Sequence, residues 1–188
     1  MSGTVDGGVV IETERLLLRR MTHDDAPAMF ALQSNPRVNR FIGGDPPPWE
    51  EWLEAFCARW PAYYQQHGFG LWATVRKSDG AVMGRIGLLA QEIDGVMEVE
   101  VAYSLDEPYW GAGYATEAAV ATRDWAFARL DVPHVVSIIA PDNRGSIGVA
   151  RKNGLSLWKD TVFRGTPVHI FRITRDEWEE IQTMNPDR

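Results

Sequence analysis

The sequence predicts one domain of α/β class and α+β type: a mixed, mainly antiparallel, twisted sheet flanked by helices. Three observations carry this. A chain of 188 residues fits a single domain. Residues 71–105 fall into three strand-like runs joined by Asp79-Gly80 and Asp94-Gly95, residue pairs that tight hairpins favour. A glycine loop, Trp110-Gly111-Ala112-Gly113-Tyr114, then leads from the last of these strands into a helix.

Residues 1–13 hold acids and glycines rather than a basic stretch followed by an apolar one, so they read as a flexible tail and not a secretory leader. Residues 14–188 remain as the domain. Arg15–Arg20 is a short apolar strand. Thr22 and Asp25 stand at capping-box spacing, with Asp where Glu is usual, before helical periodicity over Ala26–Leu32. Asn35-Pro36 ends that helix, because proline pushes its predecessor out of the helical region. A loop follows, to Pro46-Pro47-Pro48. A second helix is expected from Trp49 to about Gln66, kinked or split at Pro61 and ended by Gly68. It carries Trp49, Trp52, Phe56, Trp60, Tyr63 and Tyr64. Aromatics at helical spacing are core first, so only part of this stripe is expected to wall a pocket.

Leu71–Arg76, Ala81–Leu89 and Met97–Leu105 form the antiparallel meander. The helix after the glycine loop shows Ala115, Ala118, Ala119 and Thr122 on one face and continues through Trp125 and Ala126. His134–Ala140 is a β-branched strand, Asn143–Asn153 a short helix closed by Gly154, and Leu155–Lys159 and Val168–Thr174 the last strands. Thr174 and Glu177 repeat the capping-box spacing and open a terminal helix.

Composition narrows the partners. With 19 Lys and Arg against 26 Asp and Glu, the net charge is −7, which disfavours nucleic acid and draws cationic acceptors such as amines. No window approaches the roughly 18 apolar residues of a membrane span. A lone Cys57 excludes an intrachain disulfide or a thiolate cage, and His23, His67, His134 and His169 lack metal-ligand spacing, so no metal is expected. A cytoplasmic globule is the expectation.

Gly111 and Gly113 permit positive φ and a close ligand approach. Successive amides of such a loop, with the unpaired amides of the helix start behind them, make an anion site suited to a phosphate or pyrophosphate. By itself a G-x-G is as readily a tight turn. No Gly-Lys-Ser/Thr follows, which removes a Walker loop. The preceding meander and the late Asp142 make a dinucleotide loop a poor match. There is no G-x-S-x-G elbow, since Gly145-Ser146-Ile147-Gly148 has the wrong order, and Cys57 has no evident His partner.

Three segments together resemble the GCN5-related N-acetyltransferases, in particular the branch of ribosomal-protein alanine and serine acetyltransferases. The opening Thr13–Arg20 (TERLLLRR) is similar to the family's first strand. Glu100–Ala118 (EVAYSLDEPYWGAGYATEA) resembles its fourth strand, pyrophosphate loop and third helix. Asn143-Arg144-Gly145-Ser146-Ile147, running on to Lys152-Asn153-Gly154-Leu155, resembles the N-x-x-S-x(7)-G segment that flanks pantetheine. The likeness extends from Glu14 to about Arg172.

The resemblance implies a V-shaped opening between the fourth and fifth predicted strands, and acetyl-CoA as co-substrate. Its contacts would be Val101, Ala102, Tyr103, Trp110, Gly111, Ala112, Gly113, Tyr114, Ala115, Thr116, Asn143 and Ser146. Trp110 replaces a Gln or Arg of the family loop, which removes one side-chain contact and no backbone donor. The implied base is Glu100, acting directly or through a water; it shares a strand face with Glu98 and Ala102 and reads equally as a solvated strand carboxylate. An amide near Val101 or Ala102 would hold the oxyanion. Ala150 stands where many members carry a thiolate-protonating Tyr, and Ser146 is the donor the branch offers instead. Asn143 and Ser146 also read as ordinary helix caps, Tyr114 as packing and Glu117 as a partner of the helix dipole. The implied reaction is N-acetylation of a protein N-terminus or a small amine. An acyl-CoA sensor without turnover and a nicotinamide oxidoreductase stay open as rivals, as does a homodimer.

Overall fold

The computed structural model describes residues 8–184. Its strands are β1 (Val9–Glu12), β2 (Leu16–Arg19), β3 (Leu71–Arg76), β4 (Val82–Ile93), β5 (Val96–Leu105), β6 (His134–Ile139), β7 (Ser156–Phe163) and β8 (Thr166–Thr174). They form one sheet in the order β1-β2-β3-β4-β5-β6-β8-β7, antiparallel throughout except between β5 and β6. The helices are α1 (Ala26–Ser34), α2 (Pro36–Ile42), α3 (Trp49–His67), α4 (Tyr114–Arg129), α5 (Arg144–Lys152) and α6 (Arg175–Met184). The mainly antiparallel sheet flanked by helices is therefore as expected.

Several boundaries differ, each for a local reason. Val9–Glu12 is a strand and not part of a tail: its β-branched residues pair with β2, and Ile11 is buried. Residues 1–7 and 185–188 lie outside the described residues. With β1 added, the fourth and fifth predicted strands are β5 and β6. The stretch after Asn35-Pro36 begins with a helix, α2, because proline is at home in a first turn and the Asn35 side chain caps it by accepting from the Arg37 amide at 3.0 Å. Helix α3 is not split at Pro61 but runs through it to Gly68, which closes it in the left-handed conformation. Arg164-Gly165, both at positive φ, turn β7 into β8 and lengthen β7 to Phe163.

Side-chain alternation divides the sheet into two faces. Trp72 meets Trp125 of α4 edge-on at 5.2 Å, so Trp72 and its successive ladder partners Ile86 and Tyr103 face α4 and α5. Arg85, Leu89, Glu100 and Ser104 point the other way, toward α1 and α3. The aromatic stripe of α3 is mostly core: Trp52, Phe56, Trp60 and Tyr64 are buried. Trp49 and Tyr63 are half-buried, and Tyr63 is the one turned to the sheet edge. Its hydroxyl accepts from the Ala90 amide at 2.7 Å, at the edge of the cleft described below. No helix among the described residues is long and apolar enough to cross a membrane.

The Thr22–Asp25 capping box forms, and its carboxylate does a second job. Asp25 is 2% exposed, accepts from the Thr22 amide at 2.8 Å and holds Arg19 of β2 bidentately at 2.7 Å. That ties the entry of α1 to the sheet. Asp25→Ala leaves the guanidinium and the amide without an acceptor, and is expected to cost about 3 kcal/mol. The urea midpoint of unfolding checks it.

Candidate active site

Strands β5 and β6 run parallel and pair only at Glu100 with Val136. Beyond that rung their C-terminal halves have no ladder partners in each other, and the sheet opens. Each strand then feeds a helix whose first turn lies at the mouth: α4 after β5, α5 after β6. Two groups span the gap. The Ser137 hydroxyl donates to the Val101 carbonyl at 2.7 Å, and the Tyr103 hydroxyl donates to the Ser146 carbonyl at 2.8 Å. Backbone groups alternate along a strand, so the Val101 amide belongs to the Glu100–Val136 rung, that of Tyr103 faces the opening beyond it, and that of Ala102 faces the β4 ladder.

Glu100 stands where the strands part. It is 8% exposed, far from the solvated carboxylate that a strand position alone would suggest. Burial raises its pKa to about 7, against the opposing pull of a hydrogen bond from Gln91 at 3.0 Å, the Ile138 backbone and the Arg164 charge. Glu98, on the same face, is instead engaged by His134 of β6 at 2.7 Å, below the opening.

The glycine loop takes the conformation its residues require. Gly111 and Gly113 have φ of 76° and 82°, and nothing lies within 4 Å of where a Gly111 Cβ would stand. Their amides and those of Tyr114, Ala115 and Thr116 lead into α4, a sixteen-residue helix with no side-chain cap. Its positive end is thus free for an anion. The residues fit a pyrophosphate. Trp110 does not reach into this cradle; its indole donates to the Leu105 carbonyl at 2.7 Å and anchors the loop to the end of β5.

The opening TERLLLRR segment buttresses the loop, a role the sequence reading missed. Arg15 donates to the Ala112 carbonyl at 3.0 Å, lies 4.4 Å over the Tyr114 ring and binds Glu117 at 2.6 Å. Burial by itself would raise the Glu117 pKa, but hydrogen bonds from Thr13 and Arg15 outweigh it and hold the carboxyl below its ordinary value. A carboxylate in the first turn of α4 is thereby neutralised before any phosphate arrives. A groove of about 770 Å³ runs along α4 from Gly113 past Thr116 to Lys152. It lies on the opposite face of the sheet from Glu100.

At the other lip, Asn143 caps α5: its Oδ1 accepts from the Ser146 amide at 3.0 Å, which leaves its NH₂ for a ligand. No described residue gives the Ser146 hydroxyl a hydrogen bond, so that side chain is not a cap. Helix α2 straddles both lips. Asn35 and Arg37, flanking its start, reach Asp106 and Glu107 after β5, and Arg40 reaches Asp142 after β6 at 2.5 Å. Among the described residues no cluster of His, Cys, Asp and Glu suits a metal.

Residues 15–156 match the family model described as an acetyltransferase (GNAT) domain. The chain belongs to that family. It is an acyltransferase by family, with acetyl-CoA as co-substrate. The uncharacterized protein YkkB of Bacillus subtilis is 30% identical over 163 residues, covering 85% of this chain and 92% of its own. An acetyltransferase of Agrobacterium tumefaciens, known from a crystal structure, is 32% identical with a TM-score of 0.74, covering 88% of this chain and 94% of its own. The ribosomal-protein-S5-alanine acetyltransferase of Vibrio fischeri superposes with a TM-score of 0.72 over 91% of this chain and 99% of its own. At 18% identity that is a likeness of fold.

Arg15→Ala removes the brace from the Ala112 carbonyl and bares Glu117 beside the phosphate cradle. Because Arg15 is partly exposed, the expected loss is modest, about fivefold in acetyl-CoA Kd by calorimetry. Adding Glu117→Gln to the same chain should recover most of it; an unchanged Kd in Arg15→Ala would refute the brace.

Proposed function

We propose that the protein transfers the acetyl group of acetyl-CoA to a primary amine by direct attack within a ternary complex, the acceptor being a protein N-terminus or a small amine. The observation that carries this reading is Glu100, a buried carboxylate with a pKa of about 7 at the point where β5 and β6 part. A base in that range takes a proton from an ammonium at neutral pH, directly or through one water. The freed amine attacks the thioester carbonyl, the carbon–sulfur bond breaks, and the thiolate departs. The Tyr103 amide, beyond the rung, faces the opening and suits the oxyanion. With Ala150 buried and lacking a hydroxyl, the unengaged Ser146 hydroxyl is the donor we assign to the thiolate, and the Asn143 NH₂ binds pantetheine. A non-catalytic sensor would bind acetyl-CoA yet release no thiol with any amine.

Glu100→Gln tests the base. The expected loss in kcat/KM is on the order of 10² to 10⁴, with disappearance of a rising limb near pH 7. Stability should move the opposite way. The folded pKa lies above the ordinary 4.5, so the contribution of Glu100 is fullest below about 4.5 and is lost as pH rises through about 7. The variant escapes that loss, and its melting temperature should exceed the wild type's by more at pH 8 than at pH 5.

Ser146→Ala tests the thiolate donor. A donor acting only in the transition state lowers kcat and kcat/KM together, and the pH profile should keep its shape because a serine hydroxyl does not titrate there. Since the hydroxyl caps nothing, the melting temperature should hold. Full turnover in this variant would remove Ser146 from the mechanism.

A further inference from the structure

Among the described residues most of the buried or half-buried arginines hold a carboxylate or a carbonyl; Arg172 instead lies 4.3 Å over the Trp158 ring. Arg19 grips Asp25 at 2.7 Å; Arg123 holds Asp124 at 2.7 Å and the Asn153 carbonyl. Arg175 donates to the carbonyls of Phe127, Leu130 and Val132. Arg85 of β4 has no such partner: its Nε is buried without one, and no described residue gives its guanidinium a hydrogen bond or ion pair. Ser104 faces it across the β4–β5 ladder and leaves its own buried Oγ unpaired. Buried Asn39 of α2, the helix that packs over β5 here, leaves Oδ1 unpaired as well. The charge that bears on Arg85 is another cation, Arg59 of α3; burial first, and then Arg59, push the Arg85 pKa down to about 10.

Arg85 is half-buried, its Nε enclosed and the end of its guanidinium open, and a partly desolvated cation with no anion beside it is costly to a fold. Here it persists on the same sheet face as Glu100 and away from the phosphate cradle on α4. A guanidinium fork with a hydroxyl next to it matches a carboxylate or phosphate. We infer that Arg85, with Ser104 and Arg59, forms an anion subsite on the acceptor side, so that the amine acetylated carries a carboxylate or phosphate at its far end. This rests on the acetyltransferase reading above and narrows its substrate class. The Arg85–Ser104 and Leu89–Glu100 rungs are four residues apart along the strands, about 13 Å. After allowing for the reach of both side chains, the span suits a molecule of two or three residues' length.

The test uses matched amines that differ in the terminal charge: triglycine against triglycinamide, and 3-aminopropyl phosphate against 3-aminopropanol. Binding of acetyl-CoA to the wild-type protein is titrated first; its absence would sink the acetyltransferase reading and not this one. The acetyl-CoA complex is then titrated with each amine by calorimetry, and thiol release is followed in parallel. One anionic member should bind about 10- to 100-fold more tightly than its neutral partner, and which one it is distinguishes carboxylate from phosphate. Arg85→Gln should abolish that preference and Arg85→Lys restore part of it. The melting temperature of Arg85→Gln should hold or rise, because an uncompensated charge has been removed. Equal binding within both pairs, no binding by either anionic member, or a preference that survives Arg85→Gln overturns the inference. So does a lowered melting temperature with equal loss for charged and neutral amines, which would make Arg85 structural.

Discussion

A single rung, Glu100 with Val136, joins the two halves of the sheet along β5 and β6, and the rest of the site follows from how little pairing there is beyond it. Parallel strands need a crossover between them, and here the crossover is α4, whose first turn must therefore sit at the C-terminal end of β5. The same geometry repeats after β6 with α5. Two helix starts, with their unpaired amides, converge on one opening because two parallel strands end there side by side. The rung also decides the chemistry of Glu100. At the rung the carboxylate is enclosed, and enclosure is what raises its pKa toward neutrality.

The charges around the opening are arranged by sign and by face. On the α4 face, the acid in the first helical turn is bound by Arg15, so the helix end presents amides and a guanidinium to an incoming phosphate. On the α1–α3 face, Glu100 is the enclosed acid and Arg85 a half-buried cation, four rungs apart and not in contact. A net charge of −7 says nothing of this division. Helix α2 spans both ends of the cleft through Arg37 and Arg40, and any acceptor reaching Glu100 from that side passes it.

Local chemistry explains which parts of this were legible in the chain. The Asp94-Gly95 turn, the glycines of the loop, the capping boxes at Thr22 and Thr174 and the caps at Asn143 and Gly68 all act over three or four residues. A single sequence displays them, and the structure has each of them. The Asn35-Pro36 pair was legible as punctuation but ambiguous in direction, since the residues that end α1 also start α2. Val9–Glu12 carries little signal because it is short and half-exposed, and its strand exists through pairing with β2.

What the sequence determined alone, then, was the meander, the anion loop and the order of elements, because turns, caps and positive-φ positions are settled by neighbours in the chain. Tertiary structure decided where β5 and β6 separate, that Glu100 is enclosed while Glu98 is bound by His134, that Ser146 is free of capping duty, and that Arg85 stands without an anion. Each of these is a matter of desolvation or of pairing between residues far apart in the chain. Burial is a sum over every element packed around a group, and the charge state and partners of a side chain follow from that sum rather than from its place in a motif.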